Sequence, residues 1–186
     1  MIDQAGIMMA QGAAIASERI AGVNDNMTQP HYHNYYEIYY LEEGERYQRI
    51  QDELYMLKAG ELMLFSPYIM HYSYGAQDMP FRRVILYFRR DEIDSPEIIK
   101  LLDEANGMYK PEEMLVICPA QSGRTRGPVY VARKAREMGI PVICTTLLRD
   151  GVLARECDIV IEKRSGDEES FPETKGHVAS MAILML

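Results

Sequence analysis

The chain has 186 residues, room for one large domain or two small ones. Its 47% hydrophobic and 26% charged residues exclude a disordered polypeptide, and no run of about 18 uncharged apolar residues is present to cross a membrane as a helix. A formal charge of −8 excludes general affinity for nucleic acid, which needs a basic face.

The start, MIDQAGIMMAQGAAIASERI, carries Asp3 where a secretory leader would have basic residues. Its small and apolar side chains predict a helix over residues 5–20, closed by Gly22 and an Asn/Asp-rich lead-in. From Pro30 the period changes. YYEIYYL, ERYQRI, ELYML, ELMLFSP, IMHYSYG and FRRVILYF are short β-branched or aromatic runs separated by turn residues. Five or six such strands in under sixty residues predict a β-sandwich or small barrel. The segment SPEIIKLLDEA then has Ser95 as an N-cap and Pro96 at the first helical position, with Asn106-Gly107 closing the helix.

From Met114 the style changes again. Strand MLVIC, a Gly-rich turn, a helix over 127–138, strand PVICTT, a short helix over 152–156 and strand DIVIEK follow, with a last helix from about Thr174. Alternating β and α with wholly apolar strands is the pattern of a parallel sheet covered on both faces. The expected organisation is a helical lead-in over 1–27, a β unit over 28–112 and an α/β unit over 113–186. Cys118, Cys144 and Cys157 sit in apolar runs without C-x-x-C spacing, so reduced thiols in a cytoplasmic protein are expected.

Two clusters carry chemistry. His31, His33 and Glu37 share odd parity, so on one extended strand they would point to one face together with Tyr35 and Tyr39. With His71 from a later strand they form a three-His, one-Glu set suited to Mn, Fe, Ni, Zn or Co, leaving positions open for substrate. The second cluster is the turn CPAQSGRTRG at 118–127, between a buried strand and a helix. Its hydroxyls and free backbone N–H groups at a helix amino end are suited to a phosphate.

The first cluster resembles the cupins. HYHNYYEIYYLEEG matches the first cupin motif from His31 to Gly44, and AGELMLFSPYIMH matches the second, with Gly60, Pro67 and His71. Within the cupins the wording is most similar to the sensor domain of AraC-type transcriptional regulators, over roughly residues 28–110. The resemblance implies a cupin β-barrel (jelly roll) that binds a sugar or other small ligand, with Tyr35 and Tyr39 in its pocket. No helix-turn-helix pair accompanies it in this sequence, so no nucleic-acid partner is expected.

The second cluster resembles the SIS (sugar isomerase) domain. AQSGRTRGPVYVARKAREMGIPVICTT, LARECDIVIEK and PETKG occur in the family's order over about 114–186. The resemblance implies that Gln121, Ser122, Gly123 and Thr125 contact a sugar phosphate, with Thr174 and Lys175 of the PETKG loop near the sugar. It makes Glu173 and His177 candidates for moving protons. Ala120 stands where the family's first serine would be, which removes one hydroxyl. The family's earlier strand, loop and helix are not seen before Met114, so a partial αβα parallel sheet of SIS or flavodoxin-like type is expected, making the whole a two-part α+β chain. The missing neighbours would leave an apolar edge and face, covered by another chain or by the N-terminal helix unless the polypeptide is a chimera or a fragment; a homo-oligomer is expected.

Three functions follow as expectations. The first is a non-catalytic sensor of a sugar or sugar phosphate. The second is a sugar-phosphate aldose–ketose isomerase, working through a metal in the barrel or through Glu173. The third is an AraC-like regulator fragment or an oligomerising module.

Overall fold

The computed structural model describes residues 3–163, apart from Asp25 and Thr28. The chain divides into two compact units, Met1–Lys110 and Pro111–Leu186.

The first unit begins with a short helix, α1 (Gln4–Ala10), followed by strand β1 (Ile15–Val23). The helix expected over 5–20 is therefore corrected: its second half is a strand. The cause is twofold. Gly12, at φ +98°, ends the helix, with Ala13 N–H donating to the Met8 carbonyl and Gly12 N–H to that of Met9. This is the Schellman arrangement, in which a left-handed residue satisfies the last carbonyls. All nine residues of β1 then pair antiparallel with β7 (Pro80–Phe88), a partner more than fifty residues away that local periodicity cannot show.

Six further strands complete the β unit. β2 (Tyr36–Glu43), β5 (Leu62–Phe65) and β8 (Gly107–Tyr109) join β1 and β7 in a five-stranded sheet of order β1-β7-β2-β5-β8. β3 (Glu45–Ile50), β4 (Glu53–Lys58) and β6 (His71–Tyr74) form a three-stranded sheet of order β4-β3-β6. Every pairing is antiparallel. Alternate side chains from both sheets point into one core that includes Tyr39, Leu41, Ile50, Leu57, Met63, Phe65, Phe81, Ile85 and Tyr87. Ala5 and Met9 of α1 belong to the same core, so the helix closes one side of it.

Helix α2 (Pro96–Glu104) starts as its sequence requires, with Ser95 Oγ accepting from Ile98 N–H. Asp103 anchors it to β2. The Tyr36 hydroxyl donates to Asp103 Oδ1 at 2.6 Å, and Arg90 Nη1 donates to both carboxylate oxygens at 2.9 and 2.7 Å. The Tyr36 hydrogen bond holds the Asp103 carboxyl below the ordinary carboxylate range. A carboxyl depressed in the folded state contributes stability above its unfolded pKa, and that contribution is lost as pH falls through the depressed value. Asp103→Asn is expected to cost about 1 kcal/mol at neutral pH, after allowance for solvent screening, and less at pH 3. Urea unfolding at the two pH values checks this.

The second unit is a βαβ arrangement. β9 (Val116–Pro119), α3 (Arg126–Glu137), β10 (Val142–Thr146) and β11 (Ile159–Glu162) follow in order, and the strands form a parallel sheet ordered β11-β10-β9. Cys118, Val142 and Cys144 pack against Ala132 and Ala135 of α3 and against Leu153. Leu115, Ile117 and Ile159 are each about half exposed. The short helix expected at 152–156 is a 3-10 turn, Ala154–Glu156. The last helix expected from about Thr174 lies outside the described residues. Among those residues no helix is long and apolar enough to cross a membrane.

Candidate functional site

The β unit gathers its histidines by backbone bonding before any side chain acts. His31 N–H donates to the His71 carbonyl at 3.0 Å, and His71 N–H returns a bond to His31 at 2.9 Å. Tyr68 N–H donates to the His33 carbonyl at 2.8 Å, which pins the lead-in segment to the turn between β5 and β6. Glu37 sits on the inward face of β2, with Phe65 and Tyr87 as its cross-strand neighbours. The expectation that His31, His33 and Glu37 share one strand is corrected here, because β2 begins only at Tyr36. The two histidines and Tyr35 lie on an irregular segment before it. The side chains converge nonetheless: one ligating nitrogen from each of His31, His33 and His71 lies within 4.8 Å of the others.

The hydrogen bonds around this cluster set its chemistry. His33 Nδ1 lies 2.8 Å from the Tyr35 carbonyl, and His71 Nδ1 lies 2.8 Å from the Ile69 carbonyl. A carbonyl can only accept, so each Nδ1 carries a proton, and the Nε2 atoms turn inward. Those Nε2 atoms lie 3.0 Å and 3.3 Å from Glu37 Oε2. Two lone pairs facing a carboxylate repel it unless a proton or a metal cation joins them. His71 Nε2 is buried and makes no hydrogen bond among the described residues. Burial alone would raise the Glu37 carboxyl, but hydrogen bonding from the His33 and His71 rings, with their Nε2 atoms carrying the proton toward it, holds it well below the carboxylate range. Burial, helped by His71, pulls His31 down to about 4, so its ring is neutral at pH 7. The three imidazoles, with the Glu37 carboxylate beside two of them, permit a divalent transition metal, and the two Nδ1–carbonyl bonds are the kind of outer contact that orients ligating histidines.

The cluster opens on a cavity of about 550 Å³ lined by Asp3, the N-cap of α1, with Gly6, Met27, His31, His33, Tyr35 and Tyr87. Tyr35 stacks on His33 with ring centroids 4.1 Å apart. Burial pushes its phenol up to about 12, and burial together with the Glu37 charge pushes Tyr87 up further, so both stay protonated donors. Tyr87 donates to Asp3 Oδ2 at 2.9 Å. Tyr39 does not line this cavity. It is buried in the core, with the Arg83 guanidinium 5.2 Å from its ring centroid. Asp3 and Tyr87 were missed in the sequence. The alternation Phe81, Arg83, Ile85, Tyr87 along β7 is the signal that places Tyr87 inside, whereas nothing local connects Asp3 to it.

In the second unit the turn from Gln121 to Thr125 leaves the C-terminal end of β9 and enters α3. Gly123, at φ +65°, lies so close to β10 that a Cβ would meet Thr146 Oγ1 at 2.9 Å. Thr146 Oγ1 donates to the Gln121 carbonyl at 3.3 Å and accepts from Leu148 N–H at 3.2 Å. Leu147 N–H and Leu153 N–H donate to the carbonyls of Gln121 and Gly123. The turn is therefore held by its carbonyls. Ser122 Oγ accepts weakly from Arg124 N–H at 3.4 Å, and Thr125, the N-cap of α3, is exposed and makes no capping hydrogen bond. Arg124 and Arg126 are exposed. Sequence reasoning passed over Lys163, whose ammonium donates to Gln121 Oε1 at 3.3 Å. Glu173, Thr174, Lys175 and His177 lie outside the described residues.

Comparisons with known proteins find two families in succession along the chain. Residues 17–101 match the AraC-like ligand binding domain family, and residues 102–186 match the SIS domain family. An uncharacterized HTH-type transcriptional regulator of Bacillus subtilis is 44% identical over 41 residues, which is 22% of this chain and 15% of that protein. A glutamine–fructose-6-phosphate aminotransferase (isomerizing) of Halobacterium salinarum is 31% identical over 83 residues, 45% of this chain and 14% of that protein. The chain thus spans about one seventh of the length of each relative. A cupin protein from Bacteroides fragilis is similar in structure at 18% identity and a TM-score of 0.41, covering 45% of this chain and 72% of its own. The chain thus joins a segment that matches the AraC-like ligand binding domain family to one that matches the SIS domain family.

Proposed function

We propose that the protein binds a carbohydrate derivative, a sugar or sugar phosphate, as a non-catalytic sensor or regulator of sugar metabolism. The observation that carries this reading is the turn from Gln121 to Thr125. It stands at the C-terminal end of a parallel strand, where ligands bind in open α/β sheets, and at the amino end of a helix of twelve residues. The Gln121 and Gly123 carbonyls are engaged within the fold, which leaves the Ser122 and Thr125 hydroxyls to donate to an anion. The similarity to an enzyme named for fructose 6-phosphate supports a hexose phosphate as ligand.

Fructose 6-phosphate at 100 times its Kd is expected to stabilise the protein by about 2.7 kcal/mol, read as a rise in melting temperature that grows with ligand concentration. A panel of hexoses and hexose phosphates at millimolar level that leaves melting unchanged would remove the reading.

The histidine cluster favours a second reading, a metal-dependent sugar-phosphate isomerase in the β unit. His31, His33, His71 and Glu37 would hold a divalent metal, which supplies Lewis-acid polarisation of a ligand's oxygens when bound. Tyr35 and Tyr87, kept protonated by burial, present donors to the same cavity, and Asp3 fixes the Tyr87 hydroxyl. Proton NMR of aldose and ketose 6-phosphates, with added metal and with a chelator, separates the readings. Turnover that the chelator abolishes supports the isomerase, and line broadening without turnover supports the sensor.

A further inference from the structure

Lys163 follows β11 directly and is 3% exposed. Its backbone N–H donates to the Thr146 carbonyl at 2.9 Å, which places it at the same end of the sheet as Gln121. Taking an ammonium out of water costs several kcal/mol unless it gains partners. Burial here pulls its pKa down. The side chain reaches Gln121 Oε1 at 3.3 Å.

That contact has a consequence for Gln121. An ammonium only donates, so the amide atom facing it must be the oxygen. The two N–H groups of the same amide are then directed away from Lys163. The main chain of Gln121 is already fixed through its carbonyl by Thr146 Oγ1 and Leu147 N–H. The side-chain amide is what remains to be oriented, and a flipped amide would present an acceptor where an anion needs donors.

We propose that Lys163 is the positioning residue of the sugar-phosphate turn: it locks the Gln121 amide with its N–H pair toward the phosphate and places a buried positive charge behind it. This rests on the reading of the turn as a sugar-phosphate site and adds the residue that sets its preference for an anionic ligand.

The test uses the full chain, with fructose 6-phosphate and inorganic phosphate as probes in calorimetric titration. Lys163→Met keeps the length and removes the charge. It is expected to weaken both probes about tenfold or more, the scale of a lost hydrogen bond to a charged group. Lys163→Arg keeps donor and charge and is expected to recover most of that loss. Gln121→Leu, at a half-buried position, is expected to reproduce the Lys163→Met loss, and it serves if the lysine variant does not melt cooperatively. Binding within twofold of wild type in Lys163→Met or Gln121→Leu would overturn the inference, as would an arginine variant as weak as the methionine one. If the wild-type chain binds neither probe, the sugar-phosphate reading itself fails, and that is seen before any variant is made.

Discussion

His71→Ala is expected to abolish high-affinity loading of a divalent metal while leaving the sugar-phosphate response of the second unit intact. His71 is the most enclosed of the three imidazoles, stacked on Phe65 with ring centroids 4.2 Å apart, and its Nδ1 is engaged by the Ile69 carbonyl. Its inward nitrogen has no other work among the described residues. Removing an outer contact of a metal-ligating histidine costs about 10–100-fold in affinity, so removing the ligand itself should cost more.

Melting measured with and without metal checks this. At a free metal concentration 100 times Kd, the wild type should gain about 2.7 kcal/mol, on the order of 10 °C for a unit of this size. The variant should gain nothing. Its lost packing is controlled by comparison in chelator, where any difference between the two proteins is packing alone. If Mn, Co, Ni and Zn all leave the wild type unchanged, His33 and His71 instead share protons with Glu37 and the cluster is structural.

Gly123→Ala is expected to cost about 2–4 kcal/mol and to lower fructose 6-phosphate affinity at least tenfold. A left-handed backbone costs a residue with a Cβ about 1–2 kcal/mol. The new Cβ would also meet Thr146 Oγ1 at 2.9 Å and Leu153 Cβ at 3.4 Å. Thr146 cannot rotate away without losing its bonds to the Gln121 carbonyl and Leu148 N–H, each worth about 0.5–1.5 kcal/mol. If instead the turn moves, it moves away from Lys163 and the ligand position is lost.

Gly127→Ala is the matched control. A Cβ there meets nothing within 4 Å, and the residue lies in the first turn of α3, where alanine is the better helix former. It should be neutral or slightly stabilising. Equal losses in the two variants, read from urea midpoints and calorimetric titration, would show that the close approach of turn and strand does not hold the site.

The motif residues were legible because their identities and spacings are local. His31, His33, Glu37 and His71 stand out as a ligand set before any fold is known, and their nitrogens do converge. No common strand carries the first three: two backbone links to β6 and the turn before it gather His31 and His33 beside Glu37 of β2. Tyr39 shows the same limit. Parity put it beside Glu37 on an inward face, and it is inward, but depth along the barrel axis separates the cavity mouth from the core, and parity carries no depth.

The sequence by itself determined the two-part organisation, the alternating β and α of the second unit, the cap and first turn of α2, and the candidate chemistry of the two clusters. Each depends on side-chain type, on a period of two or 3.6, or on a capping residue, all expressed within a dozen positions. Tertiary structure alone decided the fate of Ile15–Val23, the meeting of Asp3 with Tyr87, and the contact of Lys163 with Gln121. These pairs are separated by tens of residues in sequence. A strand takes its state from the partner that completes its hydrogen bonds, and a buried charge from the groups that replace its water. Neither partner is present in the local sequence.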